Sequence, residues 1–128
     1  MTKKIIVAED DKDILFILDL ILNDAGYKVE ALPEGTKIMD RKDDWPDLFI
    51  LDKDMPTIDG LAICKYLRLK EQTKEIPIIM ISAYHKLKEK AREAGANDFI
   101  EKPFELKTLL DTIGKYINLG KRTFATHQ

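Results

Sequence analysis

The sequence predicts an α/β domain, a doubly wound parallel sheet of five strands with helices on both faces. Three observations support this class. Short apolar runs alternate five times with helix-like segments, and such alternation is typical of parallel sheets. The runs are apolar at nearly every position, as expected of strands that are covered on both faces. Proline and glycine residues separate the segments, which indicates short connections.

The predicted elements follow one another without a repeat or a linker. The strands are predicted at 5–8, 28–32, 48–51, 78–81 and 98–101. The helices are predicted at 14–25, 36–41, 61–69, 87–94 and 105–119. Gly26 and Gly95 suit the left-handed position that ends many helices. We therefore expect a single domain over 1–128, with a core over about 4–119 and a short tail at 120–128.

Composition narrows the class of protein. The chain has 128 residues, of which 45% are hydrophobic and 34% are charged, as in a folded globular domain. A net charge of -2 predicts no direct contact with nucleic acid or a membrane surface. No apolar run approaches the roughly 20 residues of a membrane span. The single cysteine, Cys64, suits a reducing cytoplasm, and its apolar surroundings predict a core position.

Polar side chains stand where the predicted strands end, namely Glu9 and Asp10, Asp52, Ser82 and Lys102. The carboxyl ends of parallel strands share one edge of the sheet, so these residues are expected to converge. Clustered carboxylates favour a cation, and oxygen ligands suit Mg²⁺, with Mn²⁺ as an alternative. A lysine and a hydroxyl beside them indicate a bound phosphoryl group, with Asp52 as its acceptor. The alternatives are a structural ion-pair cluster, or an Asp52 that only caps a turn.

Six short motifs carry a family resemblance in their order and spacing. They are IIVAEDD at 5–11, PDLFILD at 46–52, MP and DG at 55–60, SA at 82–83, GA at 95–96 and KPF at 102–104. The sequence resembles the receiver domains of two-component response regulators over nearly its whole length. The resemblance implies a flavodoxin-like strand order of 2-1-3-4-5. It also implies a stand-alone, chemotaxis-regulator-like phosphoacceptor switch, the alternative being a fragment of a longer protein.

The resemblance assigns roles at the strand ends. Asp52 would take a phosphoryl group from a histidine of a sensor kinase or of a histidine phosphotransfer protein. Asp10, Asp52 and the backbone carbonyl of Asp54 would hold Mg²⁺. Ser82 and Lys102 would contact the phosphoryl oxygens.

Three residues depart from the commoner family pattern, and the resemblance also implies the form of one peptide bond. Glu9 stands where the family more often has an aspartate. We expect it to take part in metal binding, and its longer side chain could contact the metal directly or displace a water. Ser82 replaces a threonine, which keeps the hydroxyl but loosens its rotamer. Phe99 matches the aromatic position that changes rotamer on activation, and without a hydroxyl it must act through packing. The peptide bond between Lys102 and Pro103 is implied to be cis.

Two further positions bear on the lifetime of the phosphorylated state. Asp54 lies two residues beyond the acceptor and Tyr84 lies two residues beyond the serine. The resemblance implies that both flank the path of the hydrolytic water. Our hypothesis is that the bulky Tyr84 shields the phosphoryl group and slows its loss.

The helices predict two protein-binding surfaces. On the first helix one face, expected to pack on the sheet, comprises Ile14, Leu15, Ile17, Leu18, Ile21 and Leu22. Phe16 and Leu20 fall outside that face, four residues apart. The resemblance implies that the kinase or phosphotransfer protein docks in this region, so we predict that both residues, with Pro103 and Phe104, form part of the docking surface. The fourth helix is basic around 86–92. The resemblance implies that this helix, with the last strand and last helix, forms the surface that regulates a downstream protein.

A phosphatase of the haloacid-dehalogenase type is the rival reading. Asp52 would then be a nucleophile and Asp54 a general acid. Against this enzyme, only Glu105 and Asp111 follow the lysine as acids, and no cap insertion encloses a substrate. A receiver that never accepts phosphate is a third reading, which the intact acids, serine and lysine argue against.

Overall fold

A parallel sheet of five strands forms the centre of the computed structural model, which describes residues 2–118. The strands are β1 (Lys4–Ala8), β2 (Lys28–Leu32), β3 (Leu48–Asp52), β4 (Ile78–Ser82) and β5 (Asp98–Glu101). They pair in the order β2-β1-β3-β4-β5, and every pair is parallel. The predicted fold class and strand order are confirmed.

Helices connect successive strands. They are α1 (Lys12–Asp24), α2 (Thr36–Met39), α3 (Gly60–Leu69), α4 (Lys88–Ala94) and α5 (Leu106–Tyr116), with a 3-10 turn at His85–Leu87 ahead of α4. The first helix begins two residues before its predicted start because the Asp11 side chain accepts hydrogen bonds from the backbone N–H groups of Asp13 and Ile14. Gly26 and Gly95 have φ of 99° and 107°, as predicted. The predicted end of the last helix lies outside the described residues.

Two apolar layers sandwich the sheet. One layer packs α2, α3 and α4 against residues such as Phe49 and Met80, and the other packs α1 and α5 against the opposite face. Every residue of β3 and β4 is buried, which explains why their sequences are apolar without alternation. Cys64 is buried in the first layer, as predicted, and its thiol donates to the carbonyl of Ala94 at 3.3 Å.

One predicted core position is wrong. Ile17 was expected to pack on the sheet, but it is 48% exposed, whereas Leu18 and Leu22 are buried. The reason is that α1 meets the sheet along a narrower stripe than its apolar pattern suggests. Ile17 instead lines a cleft of about 230 Å³ together with Pro103 and Phe104. Within residues 2–118, no helix has the length and apolar character that a membrane crossing requires.

Candidate functional site

Three carboxylates lie together at the carboxyl edge of the sheet. Carboxylate oxygens of Glu9, Asp10 and Asp52 fall within 4.8 Å of one another. They are close because β1 and β3 are neighbouring parallel strands, so their ends lie side by side. Glu9 and Asp52 are buried, with 0% and 1% exposure, whereas Asp10 is exposed. The cluster is therefore open to solvent on the Asp10 side.

Lys102 brings the end of β5 to the same place. Its ammonium nitrogen Nζ lies 2.8 Å from Oε1 of Glu9 and 3.4 Å from Oδ2 of Asp52. Its backbone N–H donates to the carbonyl of Ser82 at 2.8 Å, which ties the end of β5 to the end of β4. The lysine is thus the shared counter-ion of the two buried acids, Glu9 and Asp52.

The loop after β3 turns tightly over the end of that strand because residue 60 is a glycine. A Cβ atom at Gly60 would lie 2.5 Å from the backbone oxygen of Asp52 and 2.9 Å from the sulfur of Met80. The N–H of Gly60 donates to the carbonyl of Lys53 at 3.0 Å. A larger residue would push the loop away from the carboxylates, so the glycine fixes this close approach.

Burial and charge repulsion dominate the electrostatics of the site. Desolvation, followed by the contact with Glu9 and its charge, raises the pKa of Asp52 to about 8, although Lys102 opposes the shift. Burial alone would lower the pKa of Lys102. The contact with Glu9 and the charge of Asp52 outweigh burial, so the pKa of Lys102 is raised. One lysine therefore does not offset the clustered acids.

The donor set fits a hard divalent cation. Oε2 of Glu9 accepts the backbone N–H of Asp11 at 3.0 Å. Oε1 is buried and, within the described part of the chain, has no hydrogen bond of regular geometry besides its ion pair with Lys102. Carboxylate oxygens with solvent on one side are the ligands that Mg²⁺ prefers. Asp54 donates its backbone N–H to Asp52 at 3.2 Å, and ligation by its carbonyl stays a prediction.

The remaining predicted site residues surround this cluster. Ser82 is buried at the end of β4, and its Oγ accepts the backbone N–H of Tyr84 at 3.1 Å. The Tyr84 side chain is 63% exposed. Phe99 is half-buried on β5 and lines a cavity of about 80 Å³ beneath α4. The bond between Lys102 and Pro103 is cis, as the resemblance implies.

The predicted docking residues are exposed on α1 or line a cleft that Lys102 also borders. Phe16 and Leu20 are 68% and 60% exposed on α1. Pro103 and Phe104 line the adjacent cleft, into which Ile17 also projects its surface. Sequence reasoning missed Ile17 because its position on the helix resembles that of a core residue. Its place next to Phe16 in the sequence is the signal that could have identified it.

Lys53 is a second residue that sequence reasoning missed. Its Nζ lies 3.4 Å from Oδ1 of Asp54 and 4.0 Å from Oδ2 of Asp59. It therefore neutralises acids on the rim of the site, outside the cluster of three. A basic residue between two aspartates, directly after Asp52, is the signal that could have identified it.

Comparison with known proteins agrees with this geometry. The family model of the response regulator receiver domain matches residues 5–114. The chain is 33% identical over 116 residues to the phosphate regulon transcriptional regulatory protein PhoB of Escherichia coli K12, an alignment covering 88% of this chain and 51% of PhoB. The chain spans about half the length of the curated relatives it matches.

Solved structures are similar over nearly their full lengths. A candidate response regulator from Chloroflexus aurantiacus J-10-fl superposes with a TM-score of 0.87 at 32% identity, covering 91% of this chain and 98% of that protein. The BeF3-activated receiver domain of DrrB has a TM-score of 0.82 at 28% identity, covering 92% and 99%. With the acids, the lysine and the fold in place, the chain belongs to the receiver domain family of two-component response regulators.

Proposed function

We propose that Asp52 is the phosphoacceptor of this signalling switch and that a sensor histidine kinase or a histidine phosphotransfer protein is the donor. One observation carries the proposal. Asp52 is a buried carboxylate between Glu9 and Lys102 at the sheet edge of a receiver-family chain. A carboxylate in this setting can act as a nucleophile toward phosphorus while neighbouring charges orient the incoming group.

The transfer forms one bond and breaks one bond. A carboxylate oxygen of Asp52 attacks the phosphorus of the donor phosphohistidine, and the P–N bond breaks as the acyl phosphate forms. The imidazole leaves with the electron pair and takes a proton from water. Bound Mg²⁺, or Mn²⁺, would neutralise charge on the phosphoryl oxygens. Glu9, Asp10, Asp52 and the carbonyl of Asp54 are the groups that would hold it.

Ser82 and Lys102 are proposed to bind the phosphoryl oxygens. Lys102 contributes a compact cation on a flexible stem and is already at the acids. Ser82 contributes a hydroxyl, whose oxygen accepts the N–H of Tyr84 before phosphate arrives. Drawing the hydroxyl toward the phosphate would pull this backbone segment with it, which links the reaction to the loop ahead of α4.

Loss of the phosphoryl group is proposed to depend on Asp54 and Tyr84. Both side chains are exposed on the solvent side of the site. A large ring in the path of water would slow hydrolysis, so Tyr84→Ala is expected to lose phosphate faster than the parent chain. Equal rates of phosphate loss would contradict the shielding role.

Two surfaces are proposed to meet proteins. The exposed residues Phe16 and Leu20, with Pro103 and Phe104, would dock the donor next to Asp52. The downstream target would bind α4, β5 and α5. Helix α4 packs through small residues, Ala91 and Ala94, above the cavity that Phe99 lines, so it can shift with little loss of packing.

The residues described are proposed to signal through proteins, in the cytoplasm, without direct contact with nucleic acid or membrane. The supports are the formal charge of -2 and the single thiol, Cys64. The family is one of signalling switches, and we infer that the chain catalyses only its own phosphorylation and dephosphorylation. The haloacid-dehalogenase reading is disfavoured because only Glu105 and Asp111 follow the lysine as acids and no cap insertion encloses a substrate.

Intact mass after incubation with acetyl phosphate and Mg²⁺ tests the proposal. We expect one phosphoryl increment that disappears in Asp52→Ala and in the presence of a chelator. Asp54→Ala is the matched control, since it removes a neighbouring acid and should retain the increment. An increment that survives in Asp52→Ala, or turnover of an added phosphate ester, would refute the assignment.

A further inference from the structure

A cleft of about 210 Å³ lies at the amino edge of the sheet, at the opposite end from the carboxylate cluster. Three separate segments of the chain supply its apolar walls, which are Pro46 ahead of β3, Ile76 and Pro77 ahead of β4, and Ile117 directly after α5. The cleft therefore lies where the end of the last helix meets the loops that lead into two central strands.

Backbone hydrogen bonds hold the walls of this cleft in place. The carbonyl of Pro77 accepts the N–H of Phe49 at 2.9 Å, and the carbonyl of Ile76 accepts a bond from Nη1 of Arg68 at 2.8 Å. Ile117 is buried, with 5% exposure, so the third wall is anchored in the core. Because the walls are already ordered, a ligand that fits them has little ordering entropy to offset.

The rim of the cleft carries an excess of negative charge. Asp47 and Glu75 line it together with a single lysine, Lys3, which leaves two carboxylates against one ammonium. Oδ2 of Asp47 accepts the backbone N–H of Lys4 at 2.8 Å, and this bond fixes the carboxylate at the rim. The cleft therefore suits a ligand that has an apolar group for the walls and positive charge for the rim.

The chain beyond α5 has these two properties. It continues past the described residues as LGKRTFATHQ at 119–128, with Lys121 and Arg122, no acidic residue and one aromatic residue, Phe124. Since Ile117 lines the cleft, α5 delivers the chain to its edge. The seven residues from 117 to 124 span up to about 23 Å when extended, so the aromatic ring can return to the cleft. A tethered segment reaches an effective concentration of about 1 mM, so a weak contact is sufficient.

We propose that the segment 119–128 docks in the amino-edge cleft of the same chain. Phe124 would lie among the apolar walls, and Lys121 and Arg122 would lie beside the acidic rim. Docking would join the end of α5 to the loops that lead into β3 and β4, the strands whose far ends form the candidate functional site. The inference is independent of the proposed function, because no group at the carboxyl edge takes part in it.

Paramagnetic broadening of backbone amides in the full ¹⁵N-labelled chain tests the proposal. A nitroxide is attached through Gln128→Cys, and it reacts selectively there because Cys64 is buried. We expect the amide resonances of Asp47 and Ile76 to be broadened by the nitroxide. The amide resonance of Asp54, at the carboxyl edge, should keep its intensity.

Substitutions in the segment and at the rim identify what holds it. Phe124→Ser is expected to reduce the broadening about threefold, because the apolar anchor is lost. Thr126→Ser is the matched control, since it shortens a neighbouring side chain and keeps the anchor, and it should retain the broadening. Glu75→Lys should also reduce the broadening by reversing a charge at the rim. Glu71→Lys, at an exposed glutamate that pairs with Lys74 outside the cleft, should not.

A mixed sample distinguishes the same chain from a second copy. It contains ¹⁵N-labelled chains without nitroxide and nitroxide-labelled chains without ¹⁵N. Broadening at Asp47 and Ile76 in this mixture would show that the segment enters the cleft of another copy, and it would overturn the inference. So would equal broadening in Phe124→Ser and its Thr126→Ser control. Neither outcome bears on phosphorylation of Asp52, so the proposed function stands or fails separately.

Discussion

Charged side chains are arranged differently at the two edges of the sheet. At the carboxyl edge, Glu9, Asp10 and Asp52 lie close together, and one lysine, Lys102, pairs with Glu9 and Asp52. At the amino edge, the charged side chains have hydrogen-bonding partners or opposite charges beside them. Arg68 donates to the carbonyls of Gly95 and Ile76 and to Oδ1 of Asn97, each at 2.8 Å. It thereby joins the two loops that lead into β4 and β5.

A second cluster of matched charges lies near the start of β1. Arg41 makes two parallel hydrogen bonds to Glu30, both at 2.8 Å, and Lys4 lies 3.2 Å from the same carboxylate. The hydrogen bond with Arg41, against a smaller effect of burial, lowers the pKa of Glu30 to about 2. Asp52 has its pKa shifted in the opposite direction, to about 8.

This contrast separates stability from reactivity. At the amino edge, Glu30 prefers its charged state because it is paired with Arg41 and Lys4, and Arg68 contributes hydrogen bonds to backbone carbonyls, so both stabilise the fold. At the carboxyl edge, burial and the repulsion between carboxylates lower stability when the site is empty, and a bound cation would relieve that repulsion. Substitutions at the two edges should therefore change the free energy of unfolding with opposite signs.

The largest expected effect is a loss at the amino edge. Arg68→Met should lower the free energy of unfolding by about 3 kcal/mol, because several hydrogen bonds from a half-buried guanidinium are lost together. Urea unfolding followed by the fluorescence of Trp45, the single tryptophan, would measure it. Phosphorylation of Asp52 should persist in the folded fraction.

Arg92→Met is the matched control for Arg68→Met. Arg92 is exposed on α4 and is paired with Glu89 on the same helix, so its removal should leave the urea midpoint unchanged. Equal losses in the two variants would show that the hydrogen bonds of Arg68 are not what stabilises the amino edge.

The second effect should have the opposite sign. Asp52→Asn, studied with a chelator present, should raise the free energy of unfolding by about 2 kcal/mol at pH 8. The folded pKa of about 8 lies above the unfolded value of 3.8, so the parent chain loses stability as pH rises from about 4 to 8. The difference between variant and parent should shrink as pH falls toward 4. Asp54→Asn, beside the cluster, should produce no comparable gain.

Much of this contrast is visible in the sequence, but not all of it. The fold is predictable because strands buried on both faces must be apolar throughout, as 48–51 and 78–81 are. The acids and Lys102 are predictable as a set because parallel strands end at one edge. Their pairing is not, since whether Lys102 sits nearer to Glu9 or Asp52 depends on side-chain lengths and on the position of β5.

The contacts of Arg68 could not be predicted from the sequence. A basic residue near the end of a helix usually faces solvent, and no pattern announces that backbone carbonyls from two distant loops will surround it. The predicted core position of Ile17 is wrong for the converse reason. Its periodicity is that of a core residue, but it lies 48% exposed along a cleft that α1 forms with Pro103 and Phe104. Both outcomes depend on contacts between elements that are far apart in the chain.

The third effect separates partner binding from stability at the carboxyl edge. Replacing both Phe16 and Leu20 with alanine should slow phosphotransfer from the cognate donor about tenfold, equivalent to about 1.4 kcal/mol. The free energy of unfolding should hardly change, because both side chains are already exposed. Leu69→Ala, which removes an 87% exposed leucine at the end of α3, is the control. Transfer rates that match the control would exclude the docking role.

The smallest effect tests the matched charges through their pH dependence. Glu30→Gln should lower the free energy of unfolding by about 1 kcal/mol at pH 7, less than the pKa shift alone implies, because solvent screens a carboxylate that is 32% exposed. The folded pKa of about 2 lies below the unfolded value of 4.5. The contribution of Glu30 is therefore complete above about pH 4.5 and is lost as pH falls toward 2. Urea unfolding of variant and parent should thus converge across that window. Glu71→Gln, at a surface glutamate beside Lys74, should show no such convergence. A Glu30 difference that persists at pH 2 would mean that packing, and not the paired charge, stabilises this edge.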